Sequence, residues 1–165
     1  MATTTHSASG LGSASHPAVS SGTLLATGQL LVRLALALPM IFHGASIALG
    51  AFGGPGLKGF VAFTHLPLAV AALVGWGELL GGLGVLFGVL TRLAAAGAGI
   101  IMVGAILLVH LHNGYDLAHK GYEYALTLAL LSAAVILLGG GDYSVGALFH
   151  GRNKENGGSP PDLGA

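Results

Sequence analysis

Four apolar runs, Leu30–Leu49, Leu68–Leu90, Leu93–His110 and Tyr124–Leu138, take up nearly half of this 165-residue chain. A helix needs about 20 apolar residues to cross a hydrocarbon core about 30 Å thick, and the runs lie near that length, the last being the shortest. Inside lipid a segment has to pair its own backbone N–H and C=O groups, so runs of this kind cross as α-helices. Composition closes the soluble alternative. With 53% hydrophobic and only 7% charged residues, and a mean hydropathy of +0.81, there are too few polar side chains to cover a water-facing surface. The expected fold is all-α, a four-transmembrane-helix bundle with short loops and disordered termini.

The chain divides into three parts. Residues 1–22 are rich in Ser, Thr, Ala and Gly, lack Lys and Arg, show no apolar period and read as a disordered tail. His6 and His16 within it are too sparse for a metal-binding tract. A secretory signal would carry a basic segment next to its apolar stretch, and Arg33 interrupts the first run, so that run reads as a transmembrane helix. Residues 23–146 form the expected membrane domain. Gly139-Gly140-Gly141-Asp142 breaks the last helix, and residues 147–165 form a polar tail.

Leu90-Thr91-Arg92 is too short for anything but a turn between antiparallel helices, so the second and third runs make a hairpin. The longer link from Gly50 to Pro67, carrying Phe60, Phe63 and His65, is expected to fold against the membrane interface. Asn113 to Gly121 forms a polar cap with Tyr115 and Tyr122 at headgroup level. Four crossings put both termini on one side. Arg92, Arg152 and Lys154, with Arg33, outnumber Lys58 and Lys120, which places that side in the cytoplasm. Glycine pairs Gly77/Gly81, Gly84/Gly88 and Gly97/Gly104 are spaced for close helix packing.

The net charge of zero provides no basic face for a phosphate backbone, which excludes nucleic acid as a partner. With no cysteine there is no thiol relay or thiolate metal site. Electron chemistry would therefore need a bound cofactor or a neighbouring subunit.

Within the runs, the residues to explain are His43, Glu78, His110 and Glu123. An ionisable side chain in lipid costs about 2.5–3.5 kcal/mol or more, so such groups face the bundle interior and pair there. All four can meet in the outer half of the bundle: His43 in the first run, Glu78 in the second, His110 near the end of the third and Glu123 opening the fourth. Glu78 is the strongest signal. It reads either as a protonated carboxyl bonded to a carbonyl or a Ser, or as a group that handles protons or a ligand. His43 divides evenly between a structural hydrogen bond and a site role. His110 and His112, two residues apart, fall on opposite sides of a continuing helix. Haem on two histidines and a metal ion with Glu78 are the weaker readings, so the expected metal site is none. Arg33 and Arg92 are expected to snorkel to the interface, with Asp142 or a lipid headgroup as alternative partners. Trp76 lies deeper than an aromatic belt would place it, as core or beside Glu78.

Several segments together resemble the DoxX family of small bacterial membrane proteins: Arg33-Leu34-Ala35-Leu36, Ile41-Phe42-His43-Gly44, Gly53-Gly54-Pro55-Gly56-Leu57 and Gly77-Glu78-Leu79-Leu80-Gly81-Gly82. Gly88 to Ala95, His110 with Asn113-Gly114, Gly121-Tyr122-Glu123-Tyr124 and Gly141-Asp142-Tyr143-Ser144 continue in family order, so the match covers about residues 30–146. The resemblance implies a four-helix DoxX-like domain in the bacterial cytoplasmic (inner) membrane. It implies kinship with the membrane subunit of a thiosulfate:quinone oxidoreductase and with partners in redox-defence complexes. A lysine that often follows the His-Gly is replaced here by Ala45-Ser46-Ile47-Ala48, so its contacts have no counterpart.

Two functions follow as expectations. In the first, the chain is the membrane subunit of a quinone-linked oxidoreductase. His43, Glu78, His110 and Glu123 would serve as proton-handling residues around a quinone, with Trp76, Asn113 and Tyr122 as further binding residues. Membrane lipids and a redox subunit or second copy would be its partners. In the second it is a non-catalytic scaffold that recruits soluble redox proteins. A transporter or channel is a weaker third.

Overall fold

The computed structural model describes residues 20–149, all helix, turn and loop, with no strand among them. Most of the two expected tails lies outside these residues. The first helix, α1 (Ser21–Leu49), starts earlier than the apolar run, because the Ser20 hydroxyl accepts from the Thr23 N–H at 3.2 Å and caps it. Residues 21 and 22 are thus helical, not tail. The helix passes through Pro39 and stops at Gly50, whose left-handed φ of 68° lets its N–H close on Ser46.

The expected interfacial link holds a short helix, α2 (Gly56–Thr64), packed against α1 and α3 (Leu68–Phe87). After a turn at Gly88 comes α4 (Thr91–Ala105), which runs on through a π-helical turn at Ile106–His110 and a 3-10 turn at Leu111–Asn113. The last long helix is α5 (Glu123–Leu138). Three stretches, Ser21–Leu49, Leu68–Phe87 and Thr91–Asn113, are long and apolar enough to cross a membrane; α5, at 16 residues, is shorter.

Buried positions recur at alternating steps of three and four: Ala71, Gly75, Glu78, Gly82 and Val85 on α3, Thr91, Ala95, Ala98 and Met102 on α4, and Ala125, Leu128, Ser132 and Val135 on α5. That spacing keeps one stripe of each helix turned to its neighbours. The helices pack in a ring, α1 beside α3, α3 beside α4, α4 beside α5 and α5 beside α1. Large apolar side chains such as Leu73, Leu80, Ile100 and Leu137 point outward, as suits a lipid surround.

The closest helix approach is made by glycines other than the spaced pairs alone. A Cβ at Gly44 would run into the backbone of Leu79 and sit 2.8 Å from the Gly75 carbonyl oxygen, and one at Gly82 would sit 2.9 Å from the Ile41 nitrogen. Of the spaced pairs, Gly81 and Gly84 do face Ala94, whereas Gly97 and Gly104 have nothing within 4 Å.

Arg33 corrects an expectation. It does not snorkel: it is 1% exposed, and its guanidinium donates to four carbonyls, Val85 at 2.9 Å, Leu86 at 2.6 Å, and Gly140 and Tyr143 at 2.7 Å each. Val85 and Leu86 end α3, where carbonyls lack helical partners and the helix dipole is negative. Gln29 does the same for α5, donating to the Leu138 carbonyl at 3.1 Å. This end of the bundle is therefore clamped, with an open recess of about 670 Å³ between the turn at residues 88–93 and the segment at residues 139–149, while the opposite end holds the cavity that the buried Glu78 enters.

Candidate functional site

At that opposite end a partly open cavity of about 440 Å³ lies between α1, α2, α3, α4 and the start of α5. Its walls are mostly apolar. Glu78 enters it from the buried stripe of α3, between Gly75 and Gly82, and is only 5% exposed. Its Oε2 is fully enclosed without a hydrogen-bond partner. A buried carboxyl oxygen left unpaired is costly, and in native proteins such an atom calls for a specific partner.

His43 reaches the cavity from α1, one turn beyond Met40. Its ring stands edge-on to Phe42 at 5.6 Å and tilted to Tyr124 at 5.6 Å between centroids. Tyr124, in the first turn of α5, lines the same cavity as Glu78. Carboxyl, imidazole and phenol from three helices thus share one apolar chamber.

His110 lines the same cavity from the π-helical turn of α4. Single π turns are commonly retained at functional sites because they re-aim one side chain within a helix. The His110 Nδ1 and the Asn113 Nδ2 both bond the Lys120 carbonyl, at 2.8 and 3.2 Å. Since a carbonyl only accepts, Nδ1 carries a proton, and Nε2 is the nitrogen left for other partners. Lys120 places its ammonium over the Phe63 ring, 5.5 Å from the centroid, at the cavity's rim. Gly121 keeps this loop tight, because a Cβ there would collide with the backbone of Gly114 and Tyr115, which accept from the N–H groups of Tyr122 and Glu123 at 3.0 Å each.

Of the residues expected at the site, His43, Glu78 and His110 meet, and four others do not line the cavity. Glu123 points away one residue before Tyr124, and its Oε2 accepts from the Leu117 N–H at 3.2 Å, steadying the loop. Trp76 is 43% exposed on the outer face, because two residues along a helix turn a side chain about 200° from Glu78. Tyr122 packs edge-on against Tyr115 at 5.6 Å. Asn113 lines a smaller adjoining cavity of about 330 Å³ that also takes in His65, His110, His112 and Lys120.

Tyr124, Met40, Met102 and Lys120 line the main cavity without having been singled out from the sequence. The signal for Tyr124 was its register: one position before buried Ala125 and four before buried Leu128, it falls on the inward side of α5. Among the described residues no three His, Asp or Glu side chains group as a metal cradle.

Compared with known proteins, the chain matches the family model described as DoxX over residues 28–111, a stretch that includes His43, Glu78 and His110 and stops short of Tyr124. No curated protein and no solved structure matches it.

Proposed function

The chain belongs to the DoxX family of membrane proteins, and on that premise we propose that it is the membrane subunit of a quinone-linked redox complex. Its four long helices all cross the bilayer in this reading. At about 1.5 Å per residue α5 is a few ångströms short of the hydrocarbon thickness, a mismatch that local thinning absorbs. With Arg33 buried, orientation rests on Arg92, Arg152 and Lys154 against Lys58 and Lys120, and still puts both termini in the cytoplasm of a bacterial inner membrane.

The observation that carries the reading is the unpartnered Glu78 oxygen in an apolar chamber beside His43 and Tyr124. A cavity of about 440 Å³ lies in the range of roughly 300–1,000 Å³ typical of small-molecule sites, whose mark is apolar walls with a few converging polar groups. A quinone supplies two-electron chemistry coupled to protons. Glu78 and Tyr124 would hold a headgroup oxygen, and His43 would bound the ring. His110 Nε2 and Glu78 are the groups able to move protons between headgroup and cavity rim. The sequence has no cysteine and no nucleotide-binding motif, so electrons come from a partner subunit and the chain does not catalyse alone.

Equilibrium dialysis of a short-chain quinone analogue against the purified chain tests this. Saturable binding that is lost in Glu78→Leu is expected. Binding by neither protein, with the partner subunit also present, would leave the scaffold role.

A further inference from the structure

The chamber around Glu78 also has the chemistry of a site for a charged ligand. We propose that this cavity binds a lipophilic organic cation, a protonated or quaternary amine or phosphonium with an apolar body, whose charge is taken up by Glu78. The inference rests on the cavity's geometry and not on the quinone reading.

Three observations lead to it. First, Glu78 is an acid without a fixed counter-charge: Oε2 has no partner, and Arg33, the one buried cation among the described residues, donates to carbonyls at the other end. A carboxylate in such surroundings demands either a proton or a cation. Secondly, the walls carry aromatic rings from three elements, Phe60 and Phe63 on α2, His43 on α1 and Tyr124 on α5. Aromatic faces attract an organic cation most when it is stripped of water. The chain itself uses one of them this way, since the Lys120 ammonium sits 5.5 Å over the Phe63 ring. Thirdly, the cavity as a whole, about 440 Å³ with mostly apolar walls, accepts a bulky body where a metal ion or inorganic cation would leave most of the space unfilled.

Proton and ligand compete for one carboxyl, so binding should displace a proton wherever Glu78 carries one, and should tighten as pH rises. The other titratable or charged groups facing the chamber are His43 on α1, His110 at the end of α4, Tyr124 on α5 and Lys120 in the loop; α2 offers none. Deprotonation of either histidine removes positive charge and acts in the same direction, which is why the Glu78 variant and not the pH profile decides.

The test is calorimetric titration of tetraphenylphosphonium into the full-length protein in nanodiscs, in two buffers of different ionisation enthalpy to count protons, with empty nanodiscs subtracted. Saturable binding with proton release is expected for the wild type and for Asp142→Asn. Affinity should fall at least about tenfold in Glu78→Gln, with the fold verified by circular dichroism, and several-fold in Phe63→Leu. Absence of saturable binding, or equal affinity in Glu78→Gln, overturns the proposal. A quinone analogue titrated into the same preparation separates the two readings: uptake of quinone without the phosphonium defeats only the cation site, and the reverse defeats only the redox role.

Discussion

His43 and Tyr124 hold their ring centroids 5.6 Å apart across the gap between α1 and α5, on the wall of the cavity that Glu78 enters with its unpartnered Oε2. The bundle keeps a buried acid there at the expense of its own stability. Replacing Glu78 by Leu should therefore stabilise the protein by about 1–3 kcal/mol, since an unsatisfied buried polar group is removed and an apolar one of similar size takes its place. Denaturation in detergent measures this. A marked loss of stability in Glu78→Leu would mean that the carboxyl is structurally bonded.

Glu78→Gln should fold and melt close to the wild type, because the amide keeps the volume and the two polar atoms of the side chain. Thermal melting followed by circular dichroism checks the point, and a collapse of the fold in this variant contradicts it.

The other end of the bundle should behave in the opposite way. Arg33→Ala strips four carbonyls of their donor and is expected to cost about 3 kcal/mol or more, hydrogen bonds to charged groups contributing about 1.5–3 kcal/mol each. Arg33→Lys should rescue little, as an ammonium cannot reproduce the planar fork that spans two separate segments. A lysine variant as stable as the wild type would sink the clamp assignment.

Sequence reasoning reached the chamber through the cost of charge in lipid, which flags Glu78, His43 and His110 and sets them at a shared depth. It missed Tyr124 because a tyrosine near a membrane surface is ordinarily an interfacial anchor, and only the inward register of Ala125 and Leu128 shows otherwise. Glu123 and Trp76 fell away for the converse reason: depth does not fix the direction in which a helix presents a side chain. Arg33 was misread because its partners are main-chain carbonyls some 50 and 110 positions away, for which no side-chain pattern exists. The π turn at Ile106–His110 left no mark in the apolar periodicity.

Gly44→Ala tests the packing that positions His43. Its added methyl meets the backbone of Leu79, so α1 and α3 must separate, at an expected cost of about 1–3 kcal/mol. Gly97→Ala, in open space, should be neutral or slightly stabilising. Equal effects of the two would contradict the close approach.

Orientation is open to direct labelling. A cysteine placed at Ser13 or Gly157 should be shielded from impermeant thiol reagents in intact cells, and one at Ala118 should react. The inverse pattern would place the cavity in the cytoplasmic half of the membrane.

The quinone-dependent shift in melting temperature, measured with the partner subunit present for the wild type, His43→Leu and Glu78→Leu, tests the central claim most directly. A ligand stabilises only the state it binds, so the wild type should gain several degrees at saturating quinone while both variants stay folded and gain nothing. A wild type without a shift, or variants that shift as the wild type does, would contradict a quinone site among His43, Glu78 and Tyr124.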